Sequence, residues 1–175
     1  MAGILKVDQI KGTGASGNIE IPTGYKLVAA DGGAISAPGS VIQVVQSTTD
    51  TEVAVNVAAT WTSLMTASIT PSSSSSKVLI MCSAASLQRN STTIGYRISR
   101  GGSVLQLQAM YSDDPTYWSG NSLSLNYLDS PETTSEVTYT WEGYNHTATQ
   151  QLYWNYDNTT LESTNATMIL MEIAQ

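Results

Sequence analysis

The feature that most constrains the fold is a two-residue alternation of apolar and polar side chains, which recurs along most of the chain. Successive side chains of a β-strand point to opposite faces, so this period places one apolar face against a core and one polar face in water. The chain is therefore predicted to be all-β. The clearest triplets are Val53, Val55, Val57; Leu123, Leu125, Tyr127; Val137, Tyr139, Trp141; and Leu152, Trp154, Tyr156.

Clusters of Gly, Pro, Asp and Ser separate the alternating segments, as at the serine run 72–76 and at Arg100-Gly101-Gly102. These residues favour turns, and short strands at this spacing are typical of a two-sheet sandwich. The predicted strands cover residues 41–47, 51–57, 63–70, 77–87, 93–100, 104–111, 122–128, 135–142, 150–156 and 167–173.

Composition excludes several classes of protein. The chain has 7 basic and 14 acidic residues, and its net charge is −7. Lys and Arg form no cluster of the kind that a nucleic-acid backbone or an anionic membrane requires, so neither is an expected partner. Charged residues make up only 12% of the chain, which is typical of an extracellular or virion surface rather than of a helical protein.

The N-terminal residues give expectations about location. MAGILKVDQIKG has no apolar core of a signal peptide, and no apolar run approaches the roughly 20 residues of a membrane-spanning helix. We therefore expect a protein that is made in the cytoplasm and carried in a virion. Cys82 is the only cysteine, so no intrachain disulfide can form, and its apolar surroundings predict a buried thiol.

Residues 1–39 differ in composition from the rest of the chain. They are rich in Gly, poor in aromatic residues and end at Pro38-Gly39, which predicts an extended β stalk or anchor at 1–39 and a head domain at 40–175. The stalk offers too few large side chains to fold alone, since ordering its backbone costs about 1–2 kcal/mol per residue. Copies wound about a common axis would bring together Ile4, Val7, Ile19, Ile21 and Leu27.

The first and last strands of the head are apolar on both faces, unlike the alternating strands between them. A two-layer sandwich covers one face of each strand only, so the second face predicts contact with other subunits. If both strands lie side by side near a threefold axis, they continue the symmetry of the stalk. The predicted homotrimer interface in the head consists of Val41, Val44, Ile169, Met171 and Ile173.

Residues with catalytic or metal-binding chemistry are few. His146 is the single histidine and lacks the nucleophile elbow of a hydrolase, so it is interpreted as a surface residue. One Cys and one His do not make a zinc site. Asp113 and Asp114, with two later acids, offer oxygen ligands for Ca²⁺, but aspartates that cap turns before prolines explain them more simply. We therefore expect no enzyme activity and no cofactor.

An aromatic-rich loop is the predicted ligand-binding site. Exposed Tyr and Trp rings beside Asp and Asn suit stacking on a sugar with hydrogen bonds to its hydroxyls, and they also suit a protein partner. The alternative is that two of the rings pack beneath the loop. Trp61, Trp141 and Trp154 are predicted to be core residues. The loop residues are Tyr111, Asp113, Asp114, Tyr117, Trp118 and Asn121.

Several stretches resemble a family of phage proteins. The opening ILKVDQI, the Gly-rich zone and GSVIQVVQ resemble the N-terminal parts of short fibre and appendage proteins of tailed phages, especially those of marine and cyanobacterial hosts. SLMTASITPSSSSSKVLIMCSA, YRISRGG and MILMEIAQ resemble the jelly-roll heads of such proteins, which are similar in architecture to trimeric tumour-necrosis-factor-like jelly rolls. The resemblance implies a homotrimer whose N-terminal segment is anchored to another virion protein.

The favoured hypothesis is thus a trimeric fibre or appendage whose head attaches to a host-surface glycan or to another virion protein. The first alternative is a capsid decoration or cement protein that stabilises the shell. The second is a freestanding lectin-like module, and an enzyme comes last because no catalytic residues occur at a specific spacing.

Overall fold

A computed structural model describes residues 23–24, 37–89, 92–112, 118–147, 151–156 and 164–175. The chain divides into two units, Met1–Ile35 and Ser36–Gln175. In the first unit, Thr23 and Gly24 form a turn in which φ of Gly24 is 88°, a value that glycine adopts without strain. The stalk residues proposed to meet on an axis, Ile4, Val7, Ile19, Ile21 and Leu27, lie outside the described residues.

The described part of the second unit is all-β, as the alternation predicts. Strand bounds agree with the sequence to within a few residues at most positions, because alternation and turn clusters are local signals. The strands are β1 Val41–Thr49, β2 Val53–Ala54, β3 Thr60–Ile69, β4 Lys77–Arg89, β5 Thr92–Arg100, β6 Ser103–Ser112, β7 Trp118–Asp129, β8 Val137–Asn145, β9 Gln151–Trp154 and β10 Ala166–Ile173.

The strands form two antiparallel sheets. Sheet A has the order β1-β10-β4-β9-β2, with β7 on the free edge of β4. Sheet B has the order β3-β8-β5-β6. The long β4 carries β10 beside its first half and β9 beside its last residues, while β7 follows it from Val78 to Arg89.

The pairing is nested about one hairpin. The hairpin is β5 with β6; outside it β4 pairs with β7, then β3 with β8, and finally β1 with β10. A chain that folds as nested antiparallel pairs shared between two sheets is a jelly roll. The predicted jelly-roll sandwich is confirmed by this topology.

The core lies between the inner faces of the two sheets. Trp141 of sheet B and Trp154 of sheet A meet edge to face, with ring centroids 5.3 Å apart at 87°, and both are fully buried. Cys82 is also buried, as predicted, and burial raises the pKa of its thiol to about 12. The thiol is therefore protonated at neutral pH and packs as a small apolar group.

One end of the sandwich is joined by a buried polar contact. The Tyr139 hydroxyl of β8 donates a hydrogen bond to Asp129 Oδ2 of β7 at 2.8 Å, and Arg100 Nε of β5 lies 3.2 Å from the same oxygen. Burial and the adjacent carboxylate raise the pKa of Tyr139. Asp129 thus links sheet A to sheet B.

The structure corrects three interpretations of the sequence. Val57 does not share a face with Val55, because β2 ends at Ala54; Val55 is buried and Val57 is 54% exposed. Trp61 is half-buried on the outer face of sheet B rather than in the core. Trp118 and Asn121 belong to β7, where they pair with β4, rather than to a loop.

Candidate functional site on the outer face of sheet A

The last strand is apolar on both faces, and the structure shows where each face points. β10 buries Met168 and Leu170 in the core, whereas Ile169, Met171 and Ile173 lie half-buried on the opposite, outer face of sheet A. Burying one face of the strand satisfies the fold. The outer apolar face is therefore surplus to the packing of a single head.

The first strand adds exposed apolar side chains to the same face. Val41 lies opposite Ile173 and Val44 lies opposite Met171, and their exposed fractions are 53% and 56%. Residues three apart normally point to opposite faces of a strand. Here the register shifts between Val41 and Gln43, and this bulge brings Val41 and Val44 to one face.

Strands β4 and β7 continue the apolar surface. Leu79 lies opposite Met171 on one side and opposite Leu128 on the other, so that an apolar row crosses four strands from Val44 to Leu128. Met81 lies opposite Ile169 in the next row. We call this surface the apolar patch; it consists of Val41, Val44, Leu79, Met81, Leu128, Ile169, Met171 and Ile173.

The apolar patch has a defined edge. Two rows beyond the row of Val44, the outer face carries Thr48, Thr167, Ser83 and Ser124, which are opposite one another in the register. The same face of one sheet is therefore mainly apolar at one end, where Gln46, Asn126 and Lys77 border the patch, and polar at the other. A contiguous apolar surface with a polar boundary is typical of a protein interface.

A buried carboxylate lies on the inner face of sheet A, behind the apolar patch. Glu172 lies between Met171 and Ile173 in the sequence, points to the opposite face and is fully buried. It accepts hydrogen bonds from Gln43 Nε2 at 2.6 Å, from the Ser72 backbone N at 2.8 Å and from Ser72 Oγ at 2.7 Å.

These hydrogen bonds decide the charge state of Glu172. Burial alone would raise the pKa of the carboxyl, but the bonds donated by Ser72 and Gln43 outweigh it and hold the pKa below its ordinary value. The ionised carboxylate therefore ties β1, β10 and the connection between β3 and β4 together. This fixes the two strands that carry five of the eight patch residues.

The structure brings together all the head residues that the sequence assigned to a subunit interface: Val41, Val44, Ile169, Met171 and Ile173 share the apolar patch. Sequence reasoning missed Leu79, Met81 and Leu128. The first two alternate with buried Val78 and Ile80, so β4 carries the same doubly apolar signal as β10. Leu128 comes directly after a regular alternation of apolar and polar residues in β7, so the sequence of that strand alone does not indicate an apolar outer face.

The predicted ligand loop is only partly described. Tyr111 lies on β6 and is 66% exposed. Trp118 and Asn121 lie on β7 opposite Arg89 and Ser86. The remaining members, Asp113, Asp114 and Tyr117, lie outside the described residues.

Among the described residues, no cluster of His, Cys, Asp and Glu side chains is arranged to hold a metal ion. The described part of the chain also contains no helix that is long and apolar enough to cross a membrane. His146 is exposed at the end of β8, as interpreted from the sequence.

Comparisons with known proteins give remote likenesses. No family model and no curated protein matches the chain. The structure of the infectious bursal disease virus Gx strain is similar at 14% identity and a TM-score of 0.46, covering 89% of this chain and 41% of that chain. A crystal structure of the VP2 subviral particle of the same virus is similar at 14% identity and a TM-score of 0.42, covering 86% of this chain and 37% of that chain. This chain thus spans about two fifths of those proteins' length, and likenesses this remote carry no argument about function.

Proposed function

We propose that this protein is a homotrimeric virion protein of a tailed phage, a short fibre or appendage whose jelly-roll head assembles through the apolar patch and attaches to the host surface. Residues 1–39 form its anchor to another virion protein, and residues 40–175 form the head. The role is structural and adhesive rather than enzymatic.

The observation that carries the proposal is the apolar row from Val44 to Leu128 across four strands of one sheet. All four side chains of this row are aliphatic or thioether groups on a face that the described head leaves uncovered. Covering apolar surface contributes about 25 cal/mol per Å², and self-association covers it without any further partner. The resemblance of the N-terminal and C-terminal segments to phage fibre proteins supports three as the number of subunits.

The oligomeric state tests the assembly. Sedimentation equilibrium or native mass measurement of the full chain at micromolar concentration is expected to give about three times the chain mass of 18.6 kDa. A monomer, or a dimer that does not add a third subunit, would overturn the trimer.

The place in the virion requires a second measurement. Labelling of purified phage particles followed by electron microscopy is expected to show the protein projecting from the particle, and its deletion is expected to reduce adsorption to the host. If deletion leaves adsorption unchanged and weakens the shell instead, the protein is a capsid decoration protein. Absence from purified particles would contradict both roles.

A further inference from the structure

The outer face of sheet B carries an aromatic cluster that the proposed assembly does not use. On β3 and β8 this face consists mainly of short polar side chains, such as Ser63, Thr66 and Thr138, whereas β6 adds the exposed Val104 and Leu107. At one end stand the half-buried rings of Trp61 and Tyr144, whose centroids are 5.1 Å apart at 40°. His146 continues the cluster at a centroid distance of 6.5 Å from Tyr144.

The Trp61 ring is fixed in place by the sheet beneath it. Its Cη2 atom lies 3.0 Å from the position that a Cβ on Gly95 would occupy, so the ring rests on the bare backbone of β5. The guanidinium carbon of Arg97 lies 4.2 Å from the ring centroid, which is the distance of a cation–π contact. A ring that is ordered before a ligand arrives loses little conformational entropy on binding.

The polar groups beside the rings carry no net charge. Arg97 donates from Nε to Glu142 Oε2 at 2.7 Å and from Nη2 to Oε1 at 2.9 Å, and Ser99 Oγ donates to Oε2 at 2.7 Å. The hydrogen bonds from Arg97, opposed by burial, hold the pKa of Glu142 below its ordinary value. The pair is thus an ionised but neutralised unit that offers both donors and acceptors to a ligand.

A further aromatic side chain, Tyr111, lies on the same face. The backbone N of His146 donates to the carbonyl of Thr93 at 3.0 Å, and Tyr111 lies opposite Thr93 on the neighbouring strand. The 66% exposed Tyr111 therefore stands on the same face, beyond His146. On this face aromatic side chains thus lie on β3, at the end of β8 and on β6, while β5 contributes Thr93 between the last two.

We propose that this end of the outer face of sheet B binds a neutral glycan, with a pyranose ring against Trp61 and Tyr144 and sugar hydroxyls on the Arg97–Glu142 pair. A pyranose has an apolar face for stacking and hydroxyls that match paired donors and acceptors. Acidic glycans fit poorly, because Arg97 is already neutralised and the chain carries a net charge of −7. This inference deepens the attachment function proposed above and rests on it.

Binding of the intact protein to neutral and acidic oligosaccharides on a glycan array tests the inference, followed by calorimetric titration with the neutral oligosaccharides that bind. Trp61→Leu and Tyr144→Leu are expected to weaken binding on the order of tenfold each. The matched control is Tyr153→Leu, which removes a half-buried ring from sheet A and is expected to leave affinity within about twofold. Thermal unfolding of each variant verifies that the head is folded.

Absence of binding to any neutral oligosaccharide, or equal binding by wild type and both folded sheet B variants, would overturn the inference. A third contradicting outcome is that Trp61→Leu loses the trimer while the wild-type protein binds no glycan. The outer face of sheet B would then be a subunit contact rather than a glycan site. The two proposals can be contradicted independently. A trimer that binds no glycan would contradict only the glycan-binding proposal, whereas a monomer that binds glycan through Trp61 would contradict only the proposed trimer.

Discussion

Val44 of β1 and Met171 of β10 lie directly opposite each other, and both side chains point away from the core. They begin the apolar row that runs through Leu79 to Leu128. The pair joins the beginning of the head to its end on a face that the jelly roll does not need to bury. Assembly can therefore be tested there without disturbing the fold.

Val44→Lys is expected to dissociate the assembly. The side chain is 56% exposed in a single head, so a lysine is tolerated there, but in an interface it buries an ammonium group without a partner. We expect association to weaken by about 100-fold or more, measured by sedimentation velocity over a range of concentrations. Thr48→Lys, on the same strand and face but in the polar rows, is the matched control, and equal weakening by both variants would remove the apolar patch from the interface.

Glu172→Gln is expected to destabilise the head by about 2–3 kcal/mol, because an amide NH₂ then faces donors from Gln43 and Ser72. Denaturant unfolding measures the difference. Glu136→Gln changes an exposed carboxylate and is expected to cost less than about 0.5 kcal/mol. An unchanged free energy of unfolding in Glu172→Gln would mean that the hydrogen bonds of Glu172 do not hold β1 against β10.

Acid is expected to destabilise the head through the same carboxyl. Hydrogen bonds from Ser72 and Gln43 hold the pKa of Glu172 below its ordinary value in the folded state, so its contribution to stability is fully present above the ordinary pKa and is lost as the pH falls through the folded pKa. Unfolding free energies measured from pH 6 down to about pH 3 should therefore decrease, and the decrease should be smaller in Glu172→Gln. Parallel curves for the two proteins would assign the acid sensitivity to other groups, such as Glu142.

Tyr139→Phe removes the hydroxyl that donates to the buried carboxylate of Asp129. The loss is expected to be about 1–3 kcal/mol in the free energy of unfolding, since one oxygen of a buried charge then depends on Arg100 alone. Tyr144→Phe is the control, because the Tyr144 hydroxyl makes only a 3.4 Å contact with His146. Equal stability of the two variants would show that Asp129 does not need Tyr139.

Gly95→Ala tests whether the Trp61 ring rests on the β5 backbone. The added methyl group would stand 3.0 Å from Trp61 Cη2, so the ring must shift outward. We expect a loss of about 1 kcal/mol and a change in tryptophan fluorescence. Gly120→Ala on β7 meets nothing within 4 Å and is expected to change neither. If the two variants behave alike, the ring is not held at Gly95.

The sequence predicted the strands and part of the apolar patch because both depend on local patterns. The last strand has apolar residues on both faces, and this can be recognised from the strand's own sequence: Ile169, Met171 and Ile173 lie on one face and alternate with residues that are buried on the other. The bulge that turns Val41 and Val44 to one side has no comparable signal. The facing positions of Leu79 and Leu128 follow from strand order, which no single segment encodes.

The sheet B cluster was missed for the same reason. Arg97 and Glu142 are 45 residues apart and meet only because β5 pairs with β8 in one register. Trp61 was assigned to the core because large aromatic residues in strands are usually buried. Its actual place on the outer face depends on a register shift between Ser63 and Met65 of β3.

The nested order of strand pairs also governs how the head can be made. The contact between Gln43 and Glu172, in the outermost strand pair, spans 129 residues, so β1 leaves the ribosome long before its partner exists. During that interval the nascent chain exposes an unpaired apolar edge, and closing so distant a contact is slow. Because β10 is the strand beside β1 in sheet A, the first strand stays without a neighbour until β10 has been synthesised, and the sandwich closes only then.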